Sequence, residues 1–121
     1  MNSTPKDKES LVYDLSIVKQ ASEDIEYLNE IISYFISNSS EMLNTLEEAI
    51  QASNWETAQN TAHKLSSNFF MFGLDEGAQA LLKMEMNLLN EIKFEECPDL
   101  MVIARTQGDL AIMQLKRDFH S

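Results

Sequence analysis

One cysteine, two histidines, three glycines and two prolines leave this 121-residue chain poor in the residues that build redox centres, metal cages and tight turns. With Cys97 alone, no internal disulfide forms, and a reducing compartment fits. So few helix breakers suit long uninterrupted helices and argue against an all-β fold. Positive charge is scarce too. Nine Lys and Arg stand against twenty Asp and Glu, for a formal net charge of −11. That balance repels phosphate backbones and anionic bilayers, so nucleic acid is not an expected partner. No apolar run approaches the ~18 residues of a membrane span. The opening stretch, Met1 to Ser10, is polar and lacks a hydrophobic signal core. We therefore expect a cytoplasmic product with a flexible tail over 1–10 and one domain over 11–121, long enough to bury a core without staples.

What the chain does have is helical periodicity. Asp14 is placed to cap a short helix, Leu15 to about Ala21. Ser22 is placed to cap a second, roughly Glu23 to Ala52, with Ile25, Leu28, Ile32, Phe35, Ser39, Met42, Leu46 and Ile50 at near-helical spacing. Asn54 caps a third helix running to Phe72, and Gly73 suits its C-terminal end. Asp75 is the expected cap of a fourth helix, to about Lys93, lined by Gly77, Leu81, Met84, Leu88 and Ile92. Pro98 suits the first turn of a last helix ending near Phe119, with Met101, Ala104, Gly108, Ala111 and Leu115 inward. Four long amphipathic helices with short connections predict an all-α, antiparallel up-down four-helix bundle with a short extra N-terminal helix.

Such a bundle leaves two places for chemistry, its core and its outer surface. A di-iron core needs inward Glu residues and Glu-x-x-His pairs. Asn60 stands three residues before His63, and Arg117 three before His120, so those pairs are missing. One cysteine and two distant histidines make a poor zinc site, and no protein-bound metal is expected. The nucleophile elbow and the Gly-rich phosphate loop are also absent.

The outer surface is more informative. In the third helix Trp55, Ala58, Ala62, Leu65, Phe69 and Phe72 form the buried stripe, and His63 points roughly 130° from its centre at about 100° per residue. Its imidazole is expected in water, available as a nucleophile. Glu56, Gln59, Asn60, Ser66, Ser67 and Phe70 project on the same side. Phe70 and Met71 add an apolar spot that suits docking, although a wide buried stripe would account for them equally well. No carboxylate stands at an obvious spacing to orient the ring.

These residues resemble a known family. Ala62-His63-Lys64-Leu65, followed ten residues after the histidine by Gly73-Leu74, is similar to the signature of histidine phosphotransfer (HPt) domains. Tyr13-Asp14-Leu15, Phe35 in a long helix, Asn54-Trp55 and Met84-Glu85 also have counterparts there, over about residues 11 to 119. The resemblance implies that His63 accepts a phosphoryl group from a receiver-domain aspartate and passes it to another receiver. It implies no kinase activity in the domain itself and no cofactor, with Mg²⁺ carried by the partner receiver. Response-regulator receiver domains and a hybrid sensor histidine kinase are the implied partners. On this reading Lys64 and Ser67 stabilise the phosphoryl group, while Gln59, Asn60, Ser66 and Phe70 form the docking surface. The chain departs from the commonest motif at Ser66 and Ser67, where Lys-Gly is usual. A monomer is the simplest state for a bundle that closes on itself. A non-catalytic adaptor that binds a receiver or kinase without being phosphorylated is the alternative reading.

Overall fold

The computed structural model describes residues 10–119. The expected tail therefore lies outside the described residues except for Ser10, and so does His120. The elements are α1 (Ser16–Ala21), α2 (Ile25–Gln51), α3 (Trp55–Met71), α4 (Asp75–Leu89), a short 3₁₀ turn (Phe94–Glu96) and α5 (Cys97–Phe119). The described residues contain no strand. Helix α2 packs on α3 and α5, and α4 packs on the same two from the other side. This is the expected four-helix ring, with α1 as the extra helix. Among the described residues no helix is long and apolar enough to cross a membrane.

The helix starts follow local hydrogen bonding, with corrections. Asp24, not Ser22, caps α2: its carboxylate accepts from the Glu26 N–H at 3.0 Å. The Ser22 hydroxyl instead accepts from the Asp24 N–H. Asn54 caps α3 as expected, accepting from the Thr57 N–H at 3.3 Å. Asp75 does not cap α4. It is the first helical residue after Leu74, and it supplies the first turn with negative charge alongside Glu76. Asp14 accepts from both the Ser16 amide and hydroxyl, ahead of α1. Those two donors hold its carboxyl below the usual carboxylate range.

Three helices end in one way. After α3, the Leu74 N–H reaches the Phe69 carbonyl and the Gly73 N–H reaches that of Phe70, with Gly73 at φ 72°. This is a Schellman ending. After α2 the same pattern forms on Ser53 at φ 56°, and after α4 on Glu91 at φ 53°. The last case explains why α4 stops at Leu89 rather than near Lys93. Glu91 turns left-handed without glycine, so the ending has no sequence flag, and Ile92 is left exposed.

The core centres on Phe69, which is fully buried. Its ring is sandwiched between two glycines. A Cβ on Gly77 would stand 2.8 Å from Phe69 Cδ2, and one on Gly108 2.8 Å from Phe69 Cζ. Phe35 stacks on Phe72 at 3.9 Å, and Trp55 stacks on Phe94 at 4.9 Å, so both ends of α3 are pinned by rings. The inward face of α2 also differs from expectation. Ile36, Leu43 and Ala49 are buried, Met42 and Ile50 are only half-buried, and Ile25 is exposed. Over 27 residues a stripe of threes and fours has room to drift, and the partner helices select one branch.

Candidate functional site

The buried stripe of α3 holds except at its first member: Ala58, Ala62, Leu65 and Phe69 are fully buried, whereas Trp55 is half-buried. That packing forces His63 outward, and 65% of its side chain is accessible. The ring is not free to rotate, however. Its Nδ1 lies 2.8 Å from Oε2 of Glu85 on α4. Glu85 is itself mostly enclosed, with 12% of its side chain accessible. A carboxylate only accepts, so Nδ1 is the protonated nitrogen of the neutral ring. Nε2 is then the position carrying the available lone pair. Sequence spacing within α3 offered no orienting carboxylate; the partner comes from the adjacent helix. The Met84-Glu85 pair was part of the resemblance, but no spacing rule links position 85 to position 63 across two helices.

The remaining residues divide around this pair. Ser66 is a correction, because it is buried and donates its hydroxyl to the His63 carbonyl at 2.8 Å. It therefore offers no polar group to a visitor. Helical projection failed here because burial is set by the packed bundle, which the period of one helix does not show. Ser67 is exposed, one turn beyond His63, with a longer 3.4 Å contact to the same carbonyl. Asn60 is exposed, and Gln59 and Phe70 are half-buried. Phe70 packs against the core cluster while Met71 remains exposed.

Lys64 is exposed and projects about 100° further around α3 than His63, toward α2. There it lines an open groove of about 450 Å³ with Tyr34, Asn38, Met42, Thr45, Thr61 and Asn68. The groove contains no carboxylate, which is unusual on a chain so acidic. On the other flank, Leu82, Met86 and Leu89 are exposed on α4. Leu82 and Leu89 stand three before and four after Glu85, so they share the face that reaches His63. The sequence reading did not include these three residues, because it treated α4 only through its inward stripe.

An outward imidazole, held in one tautomer on a pinned helix, has the chemistry of a nucleophile that a second molecule can reach. The comparisons agree with that class. The model of the Hpt domain family matches residues 30–120. The chain belongs to that family and is a histidine phosphotransfer protein of a phosphorelay, a phosphate carrier. The fold is similar to the crystal structure of histidine-containing phosphotransfer protein B (HptB) from Pseudomonas aeruginosa PAO1. The TM-score is 0.78 at 18% identity, covering 91% of this chain and 96% of that one. No curated protein sequence matches the chain.

Proposed function

We propose that His63 is the phosphoacceptor and that Nε2 is the atom that carries the phosphoryl group. The observation that supports this most is the Nδ1 contact with Glu85, which leaves one nitrogen facing solvent. The Nε2 lone pair attacks the phosphorus of a partner's aspartyl phosphate. The N–P bond forms as the bond from phosphorus to the aspartate oxygen breaks, and the carboxylate leaves with its electron pair. The Nδ1 proton stays in place, so the ring carries positive charge, which the Glu85 carboxylate offsets. In the onward step a second aspartate attacks phosphorus, and neutral imidazole leaves. Glu85 acts through the ring and is a positioning residue.

Catalysis here consists of delivery and charge balance. A rigid helix delivers the nitrogen. Ser67 supplies a hydroxyl one turn from the transferred group, and Lys64 supplies a cation by swinging its long side chain from the α2 groove to the imidazole. The chain brings no cofactor of its own, and Mg²⁺ belongs to the receiver. Gln59, Asn60 and Phe70, with Leu82, Met86 and Leu89 of α4, form the surface against which receiver domains and a hybrid sensor kinase dock. Its apolar patches lie beside the nucleophile, as a docking surface requires. One copy suffices for the transfer, no autonomous kinase activity is involved, and the setting is the cytoplasm, without nucleic acid or membrane.

The test uses receiver domains carrying labelled aspartyl phosphate. Acid-labile, base-stable label should appear on this chain, and His63→Gln should abolish it. Label that persists in His63→Gln would refute the assignment. Receiver binding without any label would favour an adaptor instead.

A further inference from the structure

Helix α5 packs on α2 and α4 and stands diagonally across the bundle from α3. Its inner side is accounted for by Leu100, Met101, Ala104, Gly108, Ala111, Ile112 and Leu115, all buried. Its outer side should be polar for a helix that faces only water. Instead Ile103, Leu110 and Met113 are 39%, 37% and 55% exposed. With exposed Thr106 they recur at alternating spacings of three and four, the pattern of a helix-pairing seam. The same spacing extends to Asp99 at one end and Arg117 at the other.

This seam is its own complement. Thr106 and Leu110 are equidistant from position 108, as are Ile103 and Met113, and as are Asp99 and Arg117. An antiparallel copy centred there sets Ile103 against Met113 and Thr106 against Leu110. It also sets each Asp99 carboxylate near an Arg117 guanidinium, which within the chain bonds to its neighbour Asp118. The opposition of charge at the two ends is general to the helix, whose first turn is acidic and last turn basic. Parallel pairing would oppose Asp99 to Asp99 and Arg117 to Arg117.

We propose that a second copy of this chain docks antiparallel along Ile103, Thr106, Leu110 and Met113, forming a pair whose two-fold axis passes between Thr106 and Leu110. The contact is isologous and closes on itself. It is short, so it falls at the small end of specific interfaces, about 1,200 Å² or less in total. A contact of that size suits a weak, reversible pair. Each copy carries a net charge of −11, and the resulting repulsion is screened by salt, so pairing tightens as salt is added. The seam lies away from α3, and both His63 faces stay open in the pair.

Sedimentation velocity on the full chain from about 10 µM to about 1 mM tests the proposal. A reversible monomer–dimer equilibrium is expected, weakened at least tenfold by Leu110→Glu with the helical circular dichroism unchanged. Orientation is read by oxidative cross-linking of singly substituted chains. Thr106→Cys mixed with Leu110→Cys should cross-link faster than either chain with itself. A monomer throughout the concentration range overturns the proposal. So does unaltered pairing in Leu110→Glu, or faster linking of like with like. Each of these results is independent of whether His63 accepts phosphate.

Discussion

Replacing Glu85 separates two effects on the imidazole, charge and orientation. Glu85→Gln keeps a carbonyl oxygen that can accept from Nδ1, but removes the charge. The loss follows from geometry. Ring and carboxylate centres about 4–5 Å apart interact by roughly 1 kcal/mol in water and 3–4 kcal/mol at a partly shielded site. With 65% of the His63 side chain accessible, the lower end applies. About 1–1.5 kcal/mol of transition-state stabilisation is lost, a roughly tenfold slower transfer. Glu85→Ala also frees the ring to rotate and to expose either nitrogen, so the loss grows to about a hundredfold. The assay is single-turnover phosphorylation from phosphoramidate, a small N–P donor, read by rapid quench. Nitrogen NMR of the product identifies the phosphorylated atom. The unmodified chain should give only the Nε2 isomer, and Glu85→Ala a mixture. Unchanged rate and unchanged isomer in Glu85→Ala would refute the reasoning.

Other predictions concern the scaffold. The Ser39 hydroxyl is fully buried and has no hydrogen-bond partner among the described residues. Ser39→Ala should therefore stabilise the fold by about 1 kcal/mol in urea unfolding. Glu91 sits at φ 53°, a conformation that costs an L residue about 1 kcal/mol, so Glu91→Gly should be stabilising by a similar amount in the same assay. Gly73→Ala should lose about 2 kcal/mol or more, because its φ is 72° and the new Cβ would fall 2.5 Å from the Asp14 Cβ. Burial pushes the Cys97 thiol up, with Glu96 and Glu95 adding to the effect. An aromatic disulfide reagent at pH 8 should thus label Cys97 only as fast as the protein unfolds. Prompt labelling of the native chain would contradict its burial.

Much of the architecture was legible because it rests on local signals. The bundle follows from repeated spacings of three and four, and the start of α3 from Asn54. His63 was placed outward because Ala58, Ala62 and Leu65 must face inward on the same helix. The errors arose where a second element decides. Ser66 projects outward on an isolated helix, yet it is buried in the assembled bundle. The α2 stripe contained two acceptable branches, and only the partner helices distinguish Leu43 from Met42. Glu91 bends the chain as glycine would while giving no compositional cue. Glu85 could not be paired with His63 from spacing, because their proximity exists only once α3 and α4 are packed.

The strap before α1 has a topological consequence. Gln114 accepts from the Val12 N–H and donates to the Ser10 carbonyl, and Tyr13 meets the Phe119 ring at 6.1 Å. Both ends of the described chain therefore share one pole of the molecule. Fusing them with a brief peptide and cutting between α2 and α3 at Ser53 would reorder the helices without moving any of them. A circularly permuted protein of this kind should still present His63 on an intact surface.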